Sequence, residues 1–248
     1  MLGSTTEVRR PALIALAATA CGRLHFGTPS PDARLTDARP PDTLGDDAPA
    51  GPGLVQQTTT SAEAGTSLTA TLPAPPHAGD LLVMVGAIQS EGLDTVTGAG
   101  VTWQLAHAET TRANVEIWYG ITDGSDSTVQ IAATLTGELW ISFEEWRGVT
   151  AVLDAQNGMS GVMNPASAGA ITCGATGDLV ILGVADNLPN TFGTPGAATW
   201  TALAPPATSS HIEQPWYTFS APAQMLAPTV TETGGSWGAA IAAFRVAP

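Results

Sequence analysis

The sequence predicts an all-β chain built on an internal duplication. Three observations carry this. Short apolar or alternating runs rich in Val, Ile, Thr and Trp recur, split by Gly, Pro, Asp and Ser at intervals of about ten residues. No long stretch holds a 3.6-residue hydrophobic period. A set of scarce residues also appears twice in the same order. Gly79-Asp80-Leu81 returns as Gly177-Asp178-Leu179, Thr102-Trp103 as Thr199-Trp200, and Trp118-Tyr119 as Trp216-Tyr217. Trp140 answers to Trp237 and Arg147 to Arg245, always at a shift of 97 or 98.

Two segments of different texture precede the repeats. Arg9-Arg10 and Pro11 lead into the apolar run 12–20, which ends at Cys21. A basic start, a short apolar stretch and small residues before a cut site form a signal-peptide pattern. The run is too short to cross a hydrocarbon core about 30 Å thick. Residues 16–21, Leu-Ala-Ala-Thr-Ala-Cys, resemble the lipobox of bacterial lipoproteins. That resemblance implies acylation of the Cys21 thiol, which becomes the new N-terminus. Gly22 after the anchor, rather than Asp, implies the outer membrane. Ala18 departs from the family, which usually has Leu there, and ordinary cleavage after Ala20, giving a secreted protein, is the alternative. Residues 22–53 are rich in Pro and Asp and hold almost no apolar run, so a disordered tether is expected. Asp42, Asp46 and Asp47 read as a solvating run within it.

From about residue 54 the strands are predicted at 67–72, 81–88, 102–108, 115–121, 128–135 and 139–149. A second set is predicted at 168–173, 179–185, 199–203, 216–220, 229–233 and 237–246. The repeat halves are therefore about 67–149 and 168–248, within one duplicated sandwich over 54–248. Two architectures fit: a small sandwich for each half, or both halves interleaved in one jelly-roll-like antiparallel β-sandwich of about twelve strands. The second is expected, because a six-stranded half of roughly 85 residues buries little of its own surface. The segments 79–87, Thr102-Trp103, 116–120 and 237–248, which close in Ala-Ala-Phe-Arg-Val-Ala-Pro, resemble a jelly-roll-like module recurrent in secreted and surface proteins of bacteria. The resemblance implies an adhesive or extracellular-matrix role and brings no catalytic signature.

Charge narrows the classes of function. All eight basic residues are Arg, against 22 acids, for a net charge of −14 and a pI near 4.3. A nucleic-acid binder working through a basic surface is excluded. So is Lys chemistry, whether a Schiff base or a phosphate-binding loop. A neutral glycan, a cation or a basic surface protein is the partner the charge allows. Membrane contact is expected only through the lipid anchor, and Thr-rich strands suit self-association. Of the two cysteines, Cys173 is left unpaired if Cys21 carries lipid, and reads as a small buried hydrophobe.

Few residues suggest chemistry. The seven Trp read as core, because residues kept by both halves serve what both halves share. Gly79-Asp80 and Gly177-Asp178 read as turns. Asp123 to Ser127 reads as a hairpin turn rather than a calcium loop, since it lacks the full ligand order with a closing Glu. Glu144-Glu145 is the oddity, two acids inside an otherwise apolar strand. Neighbours on a strand face opposite sides, so one of them is expected to point inward. A glycosidase needs two carboxyls roughly 5–9.5 Å apart, and Glu116 or Asp186 would have to supply the second. The alternatives are a bulge turning both acids to solvent, or one acid paired with Arg147. The four His residues lack metal-ligand spacing, so no metal, no cofactor and no catalytic residue is assigned. Residues specific to one half are the places to look: Asp94, Glu109 and Arg112, and above all Glu116, Glu144, Asp186, His211 and Glu213 as ligand-binding candidates. The expected function is a surface-anchored, non-catalytic β-sandwich lipoprotein for adhesion or glycan binding. The alternatives are a subunit of a surface layer or appendage, and a carbohydrate-active enzyme using Glu144.

Overall fold

The computed structural model describes residues 51–89, 92–174, 176–188, 190–203 and 212–248. The signal peptide, Cys21, nearly all of the tether and His211 lie outside the described residues. What is described is all-β, with fifteen strands in four antiparallel sheets. Half 1 carries β1 (Gly53–Thr71), β2 (Leu81–Ile88), β3 (Thr95–Gly98), β4 (Gln104–Glu109), β5 (Asn114–Ile121) and β6 (Thr128–Arg147). Half 2 carries β7 (Val149–Gly161), β8 (Ala166–Ser167), β9 (Ile171–Thr172), β10 (Asp178–Asp186), β11 (Thr201–Ala202), β12 (Glu213–Phe219), β13 (Met225–Leu226), β14 (Thr229–Val230) and β15 (Trp237–Val246).

The halves are wired alike. In half 1 the main sheet runs β1, β6, β2, β5, β4; in half 2 it runs β7, β15, β10, β12, β11. The far ends of β1 and β6 leave the main sheet. Ser67 to Thr71 pair with Thr128 to Ala132, and β3 adds to the other side of that ribbon, forming a small second layer. Two short ladders, β8 with β14 and β9 with β13, stand at the corresponding place in half 2.

The expected interleaving is not found: each main sheet is built from one half alone. The halves nevertheless share a core. Val83, Val85, Val115, Ile117 and Trp146 of half 1 form one cluster with Leu179, Ile181, Ala242 and Phe244 of half 2. The main sheets therefore pack face to face, and each is covered on its outer face by its own small layer. Each half thus shields both faces of its main sheet only with the help of the other, which is how so small a unit escapes the burial limit. Every position of β2 and β10 is buried as a result. Strands covered on both faces read as continuous apolar runs, here Leu-Leu-Val-Met-Val and Leu-Val-Ile-Leu.

The contact between halves is reciprocal, as in an isologous dimer. A shift of 98 maps Trp146 to Phe244 and Tyr119 to Tyr217. Trp146 packs on Tyr217 with ring centroids 4.8 Å apart, and Phe244 packs on Tyr119 at 4.9 Å. The same shift maps Val85 to Gly183. These two meet at the centre, where a Cβ on Gly183 would come 2.8 Å from Val85 Cγ1.

The register also corrects a predicted repeat pair. Trp140 faces the shared core and maps to Gly238, whose own Cβ would collide with the Ala113 carbonyl. Trp237 lies on the outer face and maps to Leu139. All seven Trp lie in or against a core cluster. Gly79 and Gly177 take φ of 93° and 84°, the left-handed turn conformation expected of them.

Candidate functional site

Duplication provides a reference for every polar cluster, because each has an equivalent place in the other half. The first cluster lies in the shared core. Glu144 of β6 and Glu213 of β12 are fully buried and face each other across the two main sheets. Ser142 donates to Glu144 Oε1. Glu144 Oε2, both Glu213 carboxyl oxygens and Gln57 Oε1, opposite Glu144 on β1, find no hydrogen-bond partner among the described residues. Burial raises Glu144 to about 8. Burial, and then the Glu144 charge, push Glu213 well above the ordinary carboxylate range. The reciprocal place is apolar, because the shift of 98 turns Glu144 into Ala242 and Glu213 into Val115.

The second cluster is the corner where β1, the turn into β2 and the end of β6 meet. Glu145, fully buried on the outer face, accepts from the His77 amide at 2.7 Å and from Gln56 Nε2 at 2.5 Å. His77 Nδ1 lies 2.9 Å from Glu145 Oε1 and 3.9 Å from Asp80 Oδ2. Arg147 stands alongside, its Nε 3.6 Å from Asp80 and a terminal nitrogen 3.2 Å from the His77 ring. Burial raises the Asp80 carboxyl, and the neighbouring Glu145 raises it further. Burial also pushes Glu145 upward, but the bonds from His77 and Gln56 outweigh it and its pKa falls below the ordinary value. In half 2 the corner is a plain ion pair: Arg245 meets Asp154 at 2.7 and 2.8 Å, and Asp178 accepts from the Gly174 amide.

The third cluster lies on the outer side of β5 and β12. Glu116, 3% exposed, accepts from the Leu93 amide and from Trp118 Nε1, both at 2.7 Å. These bonds tie the loop before β3 down onto β5. A Cβ on Gly92 would come 2.7 Å from Glu116 Oε1, so a side chain there would push the carboxylate from this position. Burial raises the Glu116 carboxyl, partly offset by those two bonds. Half 2 has Gln214 at the place of Glu116. Its amide nitrogen turns instead to the Leu203 and Pro215 carbonyls. The equivalent loop is held instead by Asp186, Glu232 and Thr233, and a cavity of about 230 Å³ lies beside it, lined by Asn190, Thr191, Phe192 and Gln214. Phe192 stands edge-on to Trp216 at 6.4 Å. Asp186, at the end of β10, braces the loop by accepting from the Leu188 amide and Asn190 Nδ2. Burial raises its carboxyl too.

Of the predicted candidates, Glu144 and Glu213 come together, while Glu116 and Asp186 do not join them. Glu144 points into the shared core and Glu116 to the opposite side of the sheet, so the glycosidase pairing of Glu144 with Glu116 is not formed. Asp186 serves its own loop. Both acids of the Glu144-Glu145 pair are buried, one on each face, which sets aside the solvent-facing bulge. Arg147 reaches Asp80 and His77. Asp94 accepts from Thr134 and Glu109 from the Thr111 amide, while Arg112 is exposed. Asp123 and Asp126 accept from backbone amides two residues on, as turns do. Cys173 is buried in the half 2 core, and burial pushes its thiol up. Residues 190–192 were not foreseen; the signal was Asn-Thr-Phe standing where half 1 has Gly-Leu-Asp. No protein-family model, curated protein or solved structure matches the chain.

Proposed function

We propose that the protein is a non-catalytic binding module, exported and held at the outer membrane by a lipid on Cys21, that takes a neutral glycan in the half 2 pocket. One observation carries the reading: half 2 leaves open the place that half 1 closes with Glu116. Cavities for drug-sized ligands begin at roughly 300 Å³, so this one suits a single sugar ring. Its lining joins an aromatic ring to amide and hydroxyl groups, the chemistry that meets a sugar's apolar face and its hydroxyls. Glu144 and Glu213 are sealed in the shared core, out of reach of a substrate. An acidic, lysine-free surface repels anionic polymers and leaves neutral ones.

As part of this reading each half is a jelly-roll module. The β1/β6 ribbon runs through both layers and the β2/β5 pair nests beside it, as jelly-roll wiring requires. The test is a pull-down of the purified protein on a panel of neutral polysaccharides, with released sugar ends read from the same supernatants. Binding without release is expected. Failure to bind any neutral glycan, or release of sugar ends, contradicts the reading.

A further inference from the structure

We propose that the half 1 corner formed by His77, Asp80 and Glu145 is a zinc site. One nitrogen and two carboxylate oxygens from these residues all lie within 4.8 Å of one another. Zinc is held by such donors at about 2.0–2.2 Å, which places neighbouring ligands of a tetrahedron roughly 3.3–3.5 Å apart. The His77 distances of 2.9 and 3.9 Å bracket that edge. A single imidazole among carboxylates favours zinc over calcium, which takes oxygen ligands only.

Three further features fit a metal. Asp80 Oδ2 is buried and has no hydrogen-bond partner among the described residues, its nearest cation being Arg147 Nε at the ion-pair distance of 3.6 Å. Glu145 is already oriented by Gln56 and by the His77 amide, the kind of outer-shell bonds that fix metal ligands. The His77 side chain is 63% exposed, so an ion reaches the corner from solvent and keeps an open fourth position there.

Arg147 is the competing cation, and the sister half shows why it is loosely held. Arg245 has Asp154 on β7 as its partner at 2.7 Å. The equivalent residue on β1 is Gln56, which is turned to Glu145 and to Ala74. Arg147 lies 3.6 Å from Asp80 and 3.2 Å from the His77 ring and is 43% exposed, so a metal enters only as this side chain swings outward. Half 2 also lacks the ligand set, since Ala243 stands where half 1 has Glu145.

The test is calorimetric titration of the metal-free full chain with zinc chloride, alongside the thermal midpoint with zinc and with chelator. One equivalent is expected to bind and to raise the midpoint. His77→Ala, a change at an exposed side chain, is expected to weaken binding at least tenfold and to remove the midpoint shift. Arg147→Gln is expected to bind as tightly or more tightly, and Asp178→Asn in half 2 is expected to bind unchanged. Absence of saturable binding, or undiminished binding by His77→Ala, overturns the site. Since the sugar pocket lies in the other half, neither result bears on glycan binding.

Discussion

The two halves share a strand order and a contact surface but solve three polar problems differently. In the shared core, half 1 contributes Glu144 and half 2 contributes Glu213, where the reciprocal contact has Ala242 and Val115. At the corner, half 2 uses one Arg–Asp pair and half 1 gathers His77, Asp80 and Glu145 beside Arg147. At the outer loop, half 1 is closed by Glu116 and half 2 stays open. What both copies keep is what joins them, the aromatic pairs and the strand pairings. What differs is buried charge or an open pocket. Once a duplicated fold is secured by its symmetric contacts, each copy can carry polar groups that the other does not.

The comparison can be broken most severely at the reciprocal rings. Trp146→Ala and Phe244→Ala are each expected to cost about 3–5 kcal/mol in urea unfolding, the usual cost of emptying a large aromatic site. A much smaller loss at one of them would mean the two contacts are not equivalent.

Next comes the acid pair. The double change Glu144→Ala with Glu213→Val restores the apolar contact of the reciprocal place. It is expected to stabilise the protein by about 1–4 kcal/mol at pH 8, as apolar replacement of buried charge often does. Both folded carboxyls titrate above the ordinary value of 4.5, Glu144 at about 8. The folded state therefore binds more protons than the unfolded one, and stability falls as pH rises from about 4.5 to 8. For Glu144 the slope is about 1.4 kcal/mol per pH unit across that window, with nothing lost below it, and Glu213 adds in the same direction. Among the described residues no cation faces the pair. Val83 and Gln57 flank Glu144 on the neighbouring strands, Ser142 donates to it, and the cluster of the shared core around it is apolar. The double variant is expected to flatten the profile. An unchanged slope would show that these acids are not the source.

Smaller effects sharpen the picture. Gly183→Ala is expected to cost about 1–3 kcal/mol by crowding Val85 and Val115 at the centre of the contact. Asp154→Asn, which breaks the half 2 ion pair with its half-exposed Arg245, is expected to cost less than about 1 kcal/mol. Chemical denaturation of the two variants checks both.

Much of the fold was legible. β2, β5, β10, β12 and β15 fall close to their predicted places, because continuous or alternating apolar residues leave little choice. The first part of β1 and all of β7 were missed. Gln-Gln-Thr-Thr-Thr and Asp-Ala-Gln-Asn-Gly show no apolar face, since both strands sit at sheet edges, half-buried. The strands predicted at 128–135 and 139–149 are one long β6, within which Gly137 pairs with Gly65. The uninterrupted apolar runs of β2 and β10 already signalled sheets covered on both faces, hence two sheets back to back. Glu144 stood out as an acid in an apolar strand. Its meeting with Glu213 depends on the contact between halves, which a linear repeat does not reveal. His77 and Glu145 are 68 residues apart and meet only through strand pairing.

The most direct measurement concerns the open loop of half 2. Gln214→Glu gives half 2 the acid with which half 1 closes its loop. Titrating wild type and this variant with a neutral glycan that the protein retains compares the open and closed states in one scaffold. With the thermal midpoint unchanged, the variant is expected to lose at least tenfold in affinity, while Glu116→Gln in half 1 leaves the affinity of half 2 intact. Equal affinity for wild type and Gln214→Glu would contradict the central claim that the binding site is the pocket half 2 leaves open.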